Sequence, residues 1–261
     1  MEFTNVNLKV ENRVAYVTIN HPPANALNGA TFSGLNDCLD YMVSQDEIKA
    51  IVITGEGKFF IAGADIKEFH QAFGNAEKGR ELAEVGQRVF DRMEHFPKPI
   101  IAAINGACLG GGFELALGCH MRIAAEKAML GLPELKLGLI PGFAGTQRLA
   151  RIIPKSKALE LLLTSQFITG KEAEALGIVN YAVPLEEVLP RAKQLAESIA
   201  QEKGMPSITA VLHAVNKGLD MTLEEGQALE AEWFGKMFCT EDAKEGVTAF
   251  LEKRNAEFKD R

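Results

Sequence analysis

Ala50-Ile51-Val52-Ile53-Thr54-Gly55 and Ile100-Ile101-Ala102-Ala103-Ile104-Asn105-Gly106 decide the fold. Each opens with a short, continuous apolar run and closes on a glycine. Such a run suits a strand buried on both faces, as in a parallel sheet covered by helices. Between the two, the polar, glycine-punctuated stretch from Gly55 to Lys67 reads as a loop. It leads to a predicted helix from Lys78 to Phe96, bounded by Pro97 and Pro99. Buried strands separated by helices predict α/β architecture rather than a sandwich.

Toward the N-terminus, Leu8, Val10, Val14, Tyr16 and Ile19 have strand-like spacing, with Glu11-Asn12-Arg13 as a hairpin connection. From Asn28 the period becomes helical, placing Phe32, Leu35, Leu39 and Met42 on one face up to about Ser44. In the other direction, Met121 to Ala125 is strand-like, Lys157 to Leu163 and Lys171 to Leu176 are helical, and Gly177 stops the latter. Ile178 to Val183 returns to a strand pattern before a helix over Leu185 to Glu202. Gly204-Met205-Pro206 is a breaker that divides residues 1–203, a mixed core, from a helical tail, residues 204–261. Leu223, Leu229, Trp233, Phe238, Val247, Phe250 and Leu251 give that tail more large apolar side chains than a helix pair buries alone. Two destinations for this face remain, another subunit or the chain's own body.

Composition removes several classes of function. The 261 residues are 47% hydrophobic and 24% charged, ordinary for a globular chain. A net charge of -7 gives no broad basic footprint for nucleic acid, although a local site for one phosphorylated small molecule remains compatible. The four cysteines, Cys38, Cys108, Cys119 and Cys239, form no C-x-x-C pair. Met1 to Arg13 lacks the apolar stretch of a signal peptide, and no run is long and apolar enough to span a bilayer. These features predict a reducing, cytoplasmic setting with no membrane partner.

The glycine cluster Gly106-Ala107-Cys108-Leu109-Gly110-Gly111-Gly112 follows a strand, where phosphate-binding motifs belong. Both fail: Leu115 occupies the third glycine position of G-x-G-x-x-G, and Gly112 stands where the P-loop needs lysine. G-x-S-x-G and H-E-x-x-H are absent, and the five histidines are scattered, so no metal or nicotinamide is required. What the cluster offers is exposed backbone N–H groups near the helix start at Glu114, suited to an oxyanion. A tight packing turn would use the same glycines. The small-residue turn Ala62-Gly63-Ala64-Asp65-Ile66-Lys67 leaves the preceding strand in the same way, so donors from both could meet beyond the carboxyl ends of neighbouring strands. Glu114 and Glu134 flank the strand-like Met121 to Ala125, a spacing that can return both carboxyls to one place. A glutamate beside a buried glycine turn needs a partner other than water.

In order and spacing these pieces resemble the crotonase superfamily, and within it enoyl-CoA hydratases. The carriers are Ala62 to Lys67, Asn105-Gly106 through Gly110-Gly111-Gly112-Phe113-Glu114-Leu115-Ala116, Pro133-Glu134, Ile140 to Leu149, and the closing Phe250-Leu251-Glu252-Lys253-Arg254. Two departures stand out: Ala144 occupies a position that is often glycine in related hydratases, and His21 to Leu27 resembles hydratase domains of multifunctional proteins. The resemblance implies a crotonase-like spiral of repeated ββα units with a C-terminal helical oligomerisation region. It also implies hydration of a trans-2-enoyl-CoA thioester to a 3-hydroxyacyl-CoA, in fatty-acid β-oxidation, with coenzyme A as part of the substrate and no separate cofactor. Glu114 and Glu134 would be the acid-base pair, and the backbone N–H groups of Ala64 and Gly111 the oxyanion hole. Ala24, Ala26, Leu27, Ala62, Asp65, Ile66 and Lys67 would hold the coenzyme A moiety, joined by Phe234 and Lys253 from a neighbouring subunit of a homotrimer or homohexamer. Members lacking one or both acids are isomerases or thioester hydrolases, and a passive acyl-CoA binding protein needs neither; this chain keeps both.

Overall fold

The computed structural model of the chain describes residues 1–70 and 72–261. Strand Ala50–Gly55 is buried at every position and lies parallel to Val14–Ile19 on one side and Ile100–Ile104 on the other. Register places Val52 opposite Tyr16 and Ile101. These strands belong to a seven-stranded sheet in the order Glu2–Phe3, Val6–Glu11, Val14–Ile19, Ala50–Gly55, Ile100–Ile104, Met121–Ala125, Tyr181–Val183. Its first three strands pair antiparallel, and the others join in parallel. At the hairpin, Asn12 and Arg13 both take positive φ, 52° and 66°, as a two-residue turn matched to strand twist requires.

The hydrophobic spacing gave no sign of the second sheet. Within the stretch read as a loop, Phe59–Ile61 is a strand; it pairs in parallel with Ala107–Leu109, which pairs in parallel with Met129–Gly131. Ile168–Thr169 closes this four-stranded sheet antiparallel. Strands this short show too few alternations to register as a period. Three times, a strand of the large sheet turns into one of the small sheet and then yields to a helix. The units are 50–55, 59–61 and, past the short helix Ile66–His70, Ala76–Glu94; 100–104, 107–109 and Gly111–Leu117; 121–125, 129–131 and, past a 3-10 turn, Gly145–Ile152. That repetition is the expected ββα spiral.

Helix Gly29–Ser44 starts where Asn28 accepts from the Thr31 N–H at 2.8 Å, and buries Phe32, Leu35, Leu39 and Met42 as its spacing predicted. The helix expected from Lys78 begins at Ala76, because Asn75 caps it through the Lys78 N–H. Ile178 to Val183 is strand only over Tyr181–Val183, and the following helix is Val188–Glu202 after a 3-10 turn at Leu185–Glu187. Beyond Gly204 come three helices, Met205–Gly218, Leu223–Met237 and Glu241–Glu252. The chain end returns to the body, where Asp260 accepts from Lys49 Nζ at 2.6 Å, the Met205 N–H at 2.9 Å and Arg13 Nη2 at 2.5 Å.

Candidate active site

Because Phe59–Ile61 and Ala107–Leu109 are parallel neighbours, the turns that leave them emerge on the same side. Gly112 makes the approach close: a Cβ there would overlap the Ile61 carbonyl oxygen and side chain. Gly110 turns with φ of +52°, and a Cβ on it would stand 3.7 Å from Gly63 Cα and 2.9 Å from Glu134 Oε1. Both turns and the second acid therefore meet at one point. Leu27 fixes the first turn, since its N–H donates to the Gly63 carbonyl at 2.9 Å and its carbonyl accepts from the Asp65 N–H at 2.7 Å. In this parallel bridge the Ala64 N–H faces away from Leu27, and it donates to no group among the described residues. Gly111 opens the helix Gly111–Leu117, so its N–H has no acceptor one turn back.

Glu114 lies in the first turn of that helix at 1% exposure. Its Oε1 accepts from the Phe143 N–H at 2.8 Å and the Gly145 N–H at 2.7 Å. Burial pushes this carboxyl up to about 8; the charge of Glu134 acts in the same direction, and the two amides and Arg148 oppose it. Glu134 begins the 3-10 turn Glu134–Leu137, and its Oε2 is buried without a partner. Burial raises its carboxyl above the ordinary value as well. Two raised carboxyls that sense each other form a pair that retains a proton at neutral pH and titrates as a unit.

Both acids line a cavity of about 1030 Å³ together with Ala62, Gly63, Ala64, Ile66, Gly110 and Gly111. Phe69, Phe73, Leu82, Leu137 and Ile140 give it an apolar wall. Phe143 forms part of it too, its ring edge-on to Phe32 at 5.4 Å and Phe90 at 5.9 Å between centroids. Such a space combines an apolar channel with paired acids and two amide donors that have no other acceptor, which suits proton transfer beside a developing oxyanion.

Ala64, Gly111, Glu114 and Glu134 line one cavity. Ala62 and Ile66 border the same cavity. Ala24 accepts from the Ala62 N–H at 3.1 Å, and Ala26 and Leu27 continue the same segment; the Asp65 carboxylate accepts from the Lys67 N–H at 2.9 Å. Phe234 and Lys253 lie on the exposed tail, away from the cavity lining of this chain. Sequence reasoning missed the amide clamp on Glu114 at Phe143 and Gly145. Backbone donors leave no residue-type signature, and only the glycine-rich character of Pro141 to Gly145 hinted at it. Among the described residues no three His, Cys, Asp or Glu side chains are grouped to hold a metal ion, and no helix is long and apolar enough to cross a membrane.

Comparison with known proteins identifies the family. The family model described as enoyl-CoA hydratase/isomerase matches residues 9–261. A probable enoyl-CoA hydratase of Bacillus subtilis is 51% identical over 97% of this chain and 98% of its own. A short-chain-enoyl-CoA hydratase of Clostridium acetobutylicum is 42% identical over the full length of both. The crystal structure of an enoyl-CoA hydratase from Bacillus anthracis superposes with a TM-score of 0.93 at 35% identity, covering 98% of this chain and 100% of that one.

Proposed function

The chain belongs to the enoyl-CoA hydratase/isomerase family, and from that premise we propose that it is an enoyl-CoA hydratase, adding water across the C2–C3 double bond of a trans-2-enoyl-CoA to give a 3-hydroxyacyl-CoA. One observation carries this reading: a buried and a half-buried carboxyl, both with raised pKa values, share a cavity with two adjacent amide donors that lack acceptors among the described residues. An isomerase needs only one proton carrier and a binding protein none.

As water attacks C3, charge develops on the thioester oxygen, and the N–H groups of Ala64 and Gly111 receive it; a single such donor typically lowers the barrier by ~2.7 to 4 kcal/mol. Glu114 orients the water and takes its proton, while Glu134 delivers a proton to C2. The two N–H donors at Oε1 hold Glu114 in place and oppose, without outweighing, the burial that raises it to about 8, so the one proton the pair keeps at neutral pH is shared between the acids. Dehydration uses the same singly protonated pair with the proton on the other acid. Because burial pushes Glu114 up to about 8, kcat/KM should fall above about that pH in either direction, as the pair loses its last proton.

We assign the coenzyme A moiety to Ala24, Ala26, Leu27, Ala62, Asp65, Ile66 and Lys67. Residues 204–261 form the oligomerisation region beside the 1–203 core, in a homotrimer or homohexamer. The exposed Phe238, Val247, Phe250 and Leu251 support this reading, at 76%, 63%, 81% and 75% exposure. Phe234 and Lys253 would reach a neighbour's substrate from there. No cofactor beyond coenzyme A in the substrate is invoked, and a cytoplasmic role in fatty-acid β-oxidation is the pathway this chemistry suits. The test is incubation with crotonyl-CoA: loss of the conjugated absorbance without release of free thiol is expected. Binding without that loss, or thiol release, would overturn the proposal.

A further inference from the structure

Arg148 is a buried cation close to the site that touches neither acid. On helix Gly145–Ile152, its Nη1 donates to the Phe143 carbonyl at 3.3 Å. The rest of the guanidinium is held from helix Ala76–Glu94, with Nη2 2.6 Å from Asp91 Oδ1, and Nη2 and Nε 2.8 and 3.0 Å from Glu94 Oε2. Phe143 thus gives its carbonyl to Arg148 and its N–H to Glu114. The turn 143–145 is clamped between the cation and the acid, and Ala144 within it adopts φ of +74°, a conformation an alanine keeps only when its surroundings hold it.

We infer that Arg148 is a positioning residue for Glu114: by gripping the turn through the Phe143 carbonyl, anchored on Asp91 and Glu94, it keeps the Phe143 and Gly145 N–H groups aimed at Oε1. This rests on the hydratase reading above. A planar, always charged fork can hold two carboxylates and a carbonyl at once, which an ammonium does less well. The charged groups acting on Glu114 are Glu134, from the 3-10 turn, which raises its carboxyl, and Arg148, which lowers it; Asp91 and Glu94 face Arg148 from the opposite helix. Removing the Arg148 charge therefore moves the loss of the pair's last proton to higher pH.

The test compares full-length wild type, Arg148→Met and Arg148→Lys on crotonyl-CoA across neutral and alkaline pH. Wild-type hydration establishes the reaction itself; its failure would sink the hydratase reading, whereas the variants speak only to Arg148. Arg148→Met is expected to lose about 10- to 100-fold in kcat, with KM within about threefold and the alkaline limb of kcat/KM displaced upward. Arg148→Lys keeps the charge without the fork, so its alkaline limb should return toward wild type while kcat stays about tenfold low. A folded Arg148→Met with unchanged kcat, or with reduced kcat and an unmoved limb, would overturn the inference. Should Arg148→Met fail to fold, Arg148→Lys decides: a tenfold fall in kcat supports the positioning role, and wild-type kcat contradicts it.

Discussion

Glu114 and Glu134 look into one cavity from differently built surroundings. Glu114 stands on a buried helix, its Oε1 fixed by two amides at 2.7 and 2.8 Å. Glu134 stands at the start of a short 3-10 turn, half-buried, with Oε2 enclosed and unpartnered. The contrast separates two ways of tuning a carboxyl. Hydrogen-bond donors fix one in place and partly offset the burial that raises it, while burial is the main influence on the other.

The sharpest way to break the comparison is to remove one acid at a time. Glu114→Gln and Glu134→Gln should each lower crotonyl-CoA hydration by at least ~10²-fold, measured by loss of conjugated absorbance. Near wild-type turnover in either folded variant would leave that acid without its role. A narrower strike falls on the Glu114 side alone. A Cβ at Gly145 would lie 2.9 Å from Glu114 Cγ and Oε1, so Gly145→Ala should displace the carboxylate and lower kcat by about 10- to 100-fold.

Stability is expected to move opposite to activity. Burial holds Glu114 at about 8 against a reference of 4.5, so the folded state binds a proton that the unfolded state has released between those values. Stability from this group is therefore greatest at low pH and declines as pH rises through that window. Glu114→Gln should accordingly be more stable than wild type at pH 8, by up to about 4 kcal/mol in denaturant unfolding, with the advantage shrinking toward pH 5. The fully buried acid should show a larger gain than Glu134→Gln. Smallest of all is Ala144→Gly. Its positive φ of 74° costs an alanine ~1 kcal/mol or more, partly offset by the freer unfolded glycine, for a net gain below about 1 kcal/mol by thermal or denaturant unfolding.

Legibility in the sequence followed chain length and side-chain chemistry. Ala50 to Gly55 and Ile100 to Ile104 were readable because continuous apolar runs of five or six residues fit a sheet covered on both faces. Phe59–Ile61, Ala107–Leu109 and Met129–Gly131 were not, since three residues hold no period and tertiary pairing alone makes them strands. In the site, Glu114 and Glu134 could be found because glutamates beside glycine turns carry chemistry in their side chains. The Phe143 and Gly145 amides could not, because every non-proline residue has an N–H and only the fold determines where it points. Arg148 was visible only as one letter of a motif, and its ties to Asp91 and Glu94 exist only once two distant helices are packed together.

The central claim is that the two acids work as one proton-transfer unit, Glu114 taking a proton from the water and Glu134 giving one to C2, and a double-variant cycle tests it most directly. With hydration rates for Glu114→Gln, Glu134→Gln and the combined variant, a shared task predicts that the double change is within about tenfold of the slower single one. Losses that multiply, so that the double variant falls by the full product of the two, would mean that the acids serve separate steps.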